Sequence, residues 1–190
     1  SARARVEAYP NYLYLIYYFP IYDPKERVSK RSEIDFLITR NEVVTVAYEK
    51  IEVLEELFRT LNPSGGIFEN PLRLVHKILE TLLLFQQRQL VHIREKVEAV
   101  SAELFRDRER ERERGLLEKI SYSKRDISQY RIIVRPQKHT LESFFGIGCK
   151  FLGSNCQIYM NDLIGEHLKI IDQLEDYRQA IEDFESTNNQ

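Results

Sequence analysis

The sequence has few of the residues that interrupt helices or build disulfide-dependent scaffolds. Its 190 residues include 7 Gly, 6 Pro and 2 Cys. So few glycines and prolines favour long helices over a turn-rich β protein. Cys149 and Cys156 have six residues between them, which matches no zinc or redox spacing. Because two thiols cannot form a disulfide framework, we expect both cysteines to be reduced.

An excess of charge of one sign and long apolar runs are also missing. The 28 Lys and Arg residues nearly balance the 30 Asp and Glu residues. This balance argues against a nucleic-acid partner, because such binding depends on excess positive charge. No stretch approaches the ~20 apolar residues needed to span a bilayer. The first residues also lack a signal-peptide pattern, so we expect a soluble chain.

Apolar and aromatic residues are abundant, and their order predicts strands followed by helices. A hydrophobic share of 43%, with 11 Tyr and 10 Phe, excludes a disordered chain. Aromatic and β-branched runs predict strands at 12–22 and 34–48, the second divided into a hairpin at Arg40-Asn41. Pro20 places the end of the first strand at an edge or bend. The charged segment 23–33 is expected to be a loop, and we expect further strands before Ser1.

Helical periodicity follows the predicted strands. Apolar residues predict a short helix from Ile51 to Leu61, and a long one of about 33 residues from Pro71 to Leu104. A second long helix is expected from Glu109 to Val134, forming an antiparallel hairpin with the first. The alternating Arg and Glu of 106–114 predict a solvated helix tip. Pro136 breaks the pattern, and 141–152 is interpreted as a linker packed on the hairpin.

The last segment, 157–190, is predicted to be a long amphipathic helix that leaves the body of the molecule. Its apolar positions alternate in steps of three and four, with His167 filling one gap. Such a seam needs a partner helix. The members of this seam are Leu163, Ile170, Leu174, Tyr177, Ile181 and Phe184.

Catalytic constellations are not evident in the sequence. His76, His92, His139 and His167 are scattered, and nothing orients His139 towards Cys149, so we do not expect an enzyme. His76 and His167 occupy seam positions, where a structural histidine is usual. The acidic residues of the last helix form either a solvated face or a divalent-cation site between packed helices. They are Asp162, Glu166, Asp172, Glu175, Asp176, Glu182, Asp183 and Glu185.

Several motifs together resemble the CorA-type magnesium transporters. Tyr159-Met-Asn-Asp162 and 172–178 resemble the start of that family's stalk helix and its leucine-glutamate-x-aromatic-arginine stretch. Lys124-Arg125, Arg131 and Arg135-Pro136 resemble a basic helix upstream of it, and 5–15 with 36–44 resemble its strand region. The similarity is colinear over nearly the whole chain.

The resemblance implies an α+β cytosolic domain with a partial mixed sheet, a helical hairpin and a stalk helix. Segment 1–70 would be part of the α/β domain, 71–155 the hairpin and linker, and 156–190 the start of the stalk. Family members are homopentamers whose stalk continues into the first of two transmembrane helices, with a Gly-Met-Asn motif at the pore. A regulatory Mg²⁺ binds between neighbouring cytosolic domains, and its loss opens the pore. Asp162 matches the stalk aspartate of that site.

The resemblance therefore predicts a domain on the cytoplasmic face of the inner membrane that senses Mg²⁺, or Co²⁺, Ni²⁺ or Zn²⁺. The seam of the last helix would pack against neighbouring subunits. Two departures bear on sensing: the partner carboxylates of the family site lie before Ser1, and Leu83-Leu-Phe-Gln-Gln-Arg88 replaces carboxylates. The alternative is a non-transport scaffold that assembles through its long helices.

Overall fold

The computed structural model describes residues 3–62, 64, 66–105, 110–153 and 155–188, excepting the side chains of 110–114. Four strands come first and helices follow. The strands are β1 (Arg5–Ala8), β2 (Leu13–Asp23), β3 (Val28–Ile38) and β4 (Val43–Ala47). The helices are α1 (Glu52–Thr60), α2 (Pro71–Leu104), α3 (Arg110–Val134), α4 (Gln137–Leu152) and α5 (Gln157–Asn188), with a 3₁₀ turn at Ile67–Glu69.

The strands form one sheet in the order β1-β2-β3-β4, and each neighbouring pair is antiparallel. The α+β class is confirmed, although the sheet of the described residues is antiparallel rather than mixed. The predicted hairpin at Arg40-Asn41 joins β3 to β4. The predicted loop at 23–33 is wrong, because β2 continues to Asp23 and β3 begins at Val28. Charged residues in this segment form ion pairs between β2 and β3. Lys30, for example, lies 2.6 Å from Asp23.

Side-chain alternation in β2 places one face of the sheet against the helices. Leu13, Leu15, Tyr17 and Phe19 are all fully buried. In antiparallel strands alternate residues share a face, so these four side chains line the core. The sheet therefore covers one side of the helical layer.

Beyond its short pairing with β1, the edge of β2 is closed by side chains rather than by another described strand. Gln137 donates its side-chain amide to the Tyr18 carbonyl at 2.8 Å, and the Tyr22 amide donates to Gln89 Oε1 at 3.0 Å. Between them lies Pro20, which has no N–H to offer. The prediction that Pro20 marks an edge is confirmed, and the edge is protected against pairing with another strand.

The two long helices form the predicted antiparallel hairpin. Their bounds differ from the prediction by at most one residue. Two ion pairs join them, Lys119 with Glu103 and Lys96 with the fully buried Asp126. The predicted solvated tip at 106–114 lies outside the described residues and side chains.

The segment interpreted as a linker is a regular helix, α4. Its apolar side chains Leu141, Phe144 and Phe145 are buried, so tertiary packing offsets the low helix propensity of its two glycines. The prediction of reduced cysteines is also wrong. Cys149 and Cys156 form a disulfide, because the turn after α4 brings their Cα atoms to 5.6 Å.

The predicted last helix is confirmed over the described part of 157–190. The prediction that it leaves the body of the molecule is wrong. α5 packs on α2, α3 and α4 of the same chain, running parallel to α2 and antiparallel to α3. Leu163, Ile170, Leu174 and Ile181 are at most 1% exposed. Four of the six predicted seam residues are therefore buried by the chain's own helices, and Tyr177 and Phe184 are partly buried. One core cluster contains residues of 1–70, 71–155 and 156–190.

Candidate metal centre

The candidate ligand Asp162 lies in the second turn of α5, beside the start of α2. Its Oδ2 atom is 2.9 Å from Nε2 of His76. The side chain of His76 is 15% exposed, whereas that of Asp162 is 49% exposed. Solvent therefore reaches the Asp162 carboxylate directly, whereas the His76 imidazole beside it is largely shielded from solvent.

The positions of the two residues follow from how α2 begins and how α5 packs on it. Asn70 caps α2, its side chain accepting a hydrogen bond from the Leu72 amide at 2.8 Å, and Pro71 occupies the first helical position. The Tyr159 ring lies 4.9 Å from the His76 ring, tilted by 47°. Tyr159 and Asp162 thus enclose the imidazole from one face of α5.

The donor set consists of one carboxylate and one imidazole. The described part of the chain contains no group of three or more His, Cys, Asp or Glu side chains able to hold a metal ion. A carboxylate suits a hard cation such as Mg²⁺, which keeps several waters, while an imidazole suits Co²⁺, Ni²⁺ or Zn²⁺. The pair fits part of a cation site whose remaining ligands are water or groups from another molecule.

Most other acidic residues of α5 have partners within the chain, as expected of a solvated charged face. Glu166 lies 2.6 Å from Lys169, and Glu185 lies 2.8 Å from Lys124. Arg178 bridges Glu175 and Glu182, and its hydrogen bond lowers the pKa of Glu175. Asp162 differs from them because its nearest described partner is a histidine, which is charged only when protonated.

Burial and ring stacking account for two of the remaining histidines. His167 is 2% exposed in the α5 seam, and its burial, aided by the positive charge of Lys138, lowers its pKa to about 4. His92 stacks on Tyr22 with ring centroids 3.9 Å apart. Cys149 is held in the disulfide, so it is not a free nucleophile beside His139.

The described helices include none that is both long enough and apolar enough to cross a membrane. The order of a small sheet, a long helical hairpin and a final helix is that of a known family. A family model described as CorA-like Mg²⁺ transporter protein matches residues 1–190. The chain belongs to this family. Its members are transporters, which agrees with the resemblance noted from the sequence motifs.

Solved structures of CorA and of ZntB share the fold. The soluble domain of CorA from Methanocaldococcus jannaschii superposes with a TM-score of 0.77 at 20% identity, covering 96% of this chain and 72% of that one. The complete CorA magnesium transporter of the same organism gives 0.74 at 19% identity, covering 97% and 57%. The cytoplasmic domain of ZntB from Vibrio parahaemolyticus RIMD 2210633 gives 0.59 at 12% identity, covering 100% and 73%.

The chain therefore spans 57% of the complete CorA transporter it resembles. At these identities the superpositions establish the fold of the CorA soluble domain. A comparison with curated protein sequences finds no match.

Sequence reasoning selected Asp162 but missed its partner. His76 was interpreted as a structural seam residue, whereas its Nε2 atom faces the Asp162 carboxylate. Each of the two residues lies in the second turn of its helix. If the two helices pack in parallel, these turns come together, so the sequence did contain a signal for this contact. The sequence did not reveal the direction in which α5 packs.

Proposed function

We propose that this chain is the cytosolic regulatory domain of a CorA-like divalent-cation transporter. Asp162 would contribute to a cation site between subunits, and occupancy of that site would gate a pore formed by a membrane region outside these 190 residues. The domain would lie at the cytoplasmic face of the inner membrane, in a homopentamer.

One observation carries the assignment of Asp162: a half-exposed carboxylate on the final helix, with a single imidazole beside it. Two donors from one chain do not complete the coordination of a divalent cation, which takes at least four ligands. A site shared between subunits supplies the missing donors. A site of this kind links cation binding to the contact between subunits.

The mechanism follows from charge. With a cation bound, the Asp162 carboxylate and the facing acidic groups of a neighbouring subunit are neutralised, which favours one packed arrangement of the subunits. Without the cation these groups repel, and subunits separate or tilt. The cation therefore shifts the population between two arrangements by binding one of them more tightly.

Cation binding can be measured by calorimetry and thermal melting in Mg²⁺ for the wild type, Asp162→Ala and Asp172→Ala. Asp172 is an exposed residue of the same helix, so its replacement makes the same charge change away from His76. We expect Mg²⁺ to raise the melting temperature of the wild type and of Asp172→Ala, and to leave Asp162→Ala unchanged.

Equal responses of the wild type and Asp162→Ala would exclude Asp162 from the site. The same melts in Co²⁺, Ni²⁺ and Zn²⁺ address selectivity. Because His76 adds a nitrogen donor, we expect these cations to stabilise the wild type more than Mg²⁺ does.

The scaffold alternative would assemble through its long helices, and the seam of α5 is one surface for such assembly. That seam is buried against α2 and α3 within the chain, so nothing in it calls for an external helix. The transporter-domain proposal is better supported because the CorA-like family model matches residues 1–190.

A further inference from the structure

A disulfide joins the end of α4 to the start of α5. Cys149 lies in the last turn of α4, and Cys156 directly precedes Gln157, the first residue of α5. The Cys156 carbonyl accepts a hydrogen bond from the Met160 amide at 3.0 Å, so Cys156 begins the first turn of α5. The bond therefore fixes the start of the helix that carries Asp162.

Contacts other than the disulfide also hold this junction. The Gly153 amide donates to the Cys149 carbonyl, with the glycine in the left-handed conformation at φ 66°. The Asn155 side chain accepts a hydrogen bond from the Gln157 amide at 3.3 Å. Phe145, which lies at the same junction, is 1% exposed. We therefore expect α4 and α5 to remain packed when the disulfide opens, with a less constrained turn between them.

The two cysteines differ in exposure. Cys156 is 1% exposed, whereas Cys149 is only partly buried. Both line a surface cavity of about 300 Å³, together with Gly146 and Lys150, which are exposed. A thiolate that enters this cavity therefore meets Cys149 first. The positive charge of Lys150 attracts the entering thiolate and stabilises the one that leaves.

The proposed function places this domain at the cytoplasmic face of a membrane, among cellular thiols. Glutathione and thioredoxin keep most cytosolic cysteines reduced, so the disulfides that form there are usually transient and serve catalysis or redox sensing. This compartment favours a bond that opens and closes over a permanent one.

Building on the cytosolic location in the proposed function, we propose that the Cys149–Cys156 disulfide undergoes exchange with a dithiol protein, and that its reduction releases the first turn of α5. One thiolate of the dithiol attacks the Cys149 sulfur and forms a mixed disulfide, and Cys156 leaves as a thiolate that takes up a proton. The second thiolate of the dithiol then attacks the dithiol's own sulfur in the mixed disulfide. Cys149 leaves and is protonated, so two electrons and two protons have passed to the cysteines and the dithiol departs as a disulfide.

Release of this turn acts on the candidate metal centre, because the contacts to His76 come from the start of α5. The Tyr159 ring lies 4.9 Å from the His76 ring, and Asp162 Oδ2 lies 2.9 Å from His76 Nε2. The oxidised chain holds both residues in place, whereas the reduced chain does so only part of the time. Reduction is therefore expected to weaken Mg²⁺ binding about fivefold.

Exchange is tested on the full 190-residue chain in dithiothreitol, with alkylation by iodoacetamide and mass spectrometry to count free thiols. We expect both thiols to appear in the folded protein at a rate proportional to the dithiothreitol concentration. Lys150→Gln should slow the reaction about threefold, because it removes a positive charge beside the attacked disulfide. Lys138→Gln removes the same charge from an exposed position at the other end of α4 and should leave the rate unchanged.

Reduction only at urea concentrations that unfold the chain would overturn the exchange site. Equal rates for the two lysine variants would overturn the part assigned to Lys150.

Release of α5 is measured by amide hydrogen exchange in the oxidised and reduced wild type. Reduction should speed exchange between Met160 and Asp162 about tenfold and leave 170–181 unchanged. The double variant Cys149→Ser, Cys156→Ala should match the reduced wild type with or without dithiothreitol. Unchanged protection between Met160 and Asp162 would overturn the release.

Calorimetry in Mg²⁺ separates the redox site from the proposed sensor. Equal Mg²⁺ affinity in the oxidised and reduced wild type would overturn the link between the disulfide and Asp162. An oxidised chain that binds no Mg²⁺ would contradict the proposed sensor and, with it, this link. Thiol counting and hydrogen exchange would still decide whether the disulfide exchanges and releases α5.

Discussion

At the scale of single residues, burial decides which protonation state a side chain can hold. His167 shows this directly, since it replaces an apolar residue in the α5 seam and is 2% exposed. Its Nδ1 atom has no partner among the described residues. Desolvation disfavours the charged imidazole, and the nearby Lys138 ammonium disfavours it further, so the pKa falls to about 4.

The shifted pKa predicts a loss of stability in mild acid. The pKa of an unfolded histidine is about 6.5. Between pH 6.5 and about 4 the unfolded chain binds a proton that the folded chain does not, so stability falls as the pH falls through this window. The expected loss from His167 is about 2 kcal/mol at pH 5 and reaches at most about 3 kcal/mol.

Urea unfolding of the wild type and His167→Leu at pH 7.5 and pH 5 measures this contribution. Leucine suits the seam position and does not titrate, so the wild type should lose about 2 kcal/mol more than the variant between the two values. Parallel losses would show that His167 becomes protonated in the folded protein.

The secondary-structure elements were predicted from the sequence where a pattern was long, and missed where packing overrode it. α2 and α3 keep their three-four alternation for many turns, so a few polar interruptions did not obscure them. α4 was missed because Gly146 and Gly148 lower local helix propensity, which burial of its apolar face then offsets. The start of β3 was missed because charged residues such as Lys30 and Arg31 are typical of loops. In the β2–β3 hairpin both residues are exposed to solvent.

Polar contacts between residues far apart in the sequence connect α2 and α3 to the β2–β3 hairpin. The sequence pattern alone did not predict how these elements are oriented. Asp126 of α3 is fully buried, accepts a hydrogen bond from the Ser29 amide at 2.8 Å and pairs with Lys96 of α2. Lys96 also donates to the Arg27 carbonyl at 2.5 Å. These contacts fix α2 and α3 against the β2–β3 ribbon.

Removing one partner of this buried pair should be costly. Asp126→Ala leaves the Lys96 ammonium and the Ser29 amide without their acceptor, and we expect the free energy of unfolding to fall by about 3–5 kcal/mol. The double variant Lys96→Met, Asp126→Leu should lose less than Asp126→Ala, because no buried charge remains unpaired. Urea unfolding gives both values, and a loss below about 1 kcal/mol for Asp126→Ala would contradict the role assigned to the pair.

At the scale of the whole molecule, the sequence predicted the fold class and the family but not the environment of the final helix. Periodicity in α5 showed that one face is buried, yet a period cannot identify what covers it. The answer depended on the length of the α2–α3 hairpin, which is long enough to cover Leu163 to Ile181. The same limit applies to the candidate site, because Asp162 was selected by motif while His76 became its neighbour only through helix packing.

The proposed sensor site predicts that assembly depends on the cation. Since the described chain supplies two donors, a shared site should draw subunits together in Mg²⁺. We expect sedimentation velocity to show a species of five times the monomer mass of 22.6 kDa in Mg²⁺, and mainly monomer in a chelator. Asp162→Ala should remain monomeric in both, whereas an Mg²⁺-independent pentamer would separate assembly from sensing.

The burial of the α5 seam also has a mechanical consequence. Because Leu163 through Ile181 fix α5 to α2 and α3, the three helices form a single stiff arm rather than a rod beside a separate body. At 1.5 Å per residue, the 32 residues of α5 extend about 48 Å from Gln157, in the turn before Asp162, to Asn188. A tilt of about 5° at the Asp162 end would move the other end by about 4 Å over that length. In the proposed sensor, small adjustments around the Asp162 carboxylate would thereby be amplified into a displacement as large as a side chain.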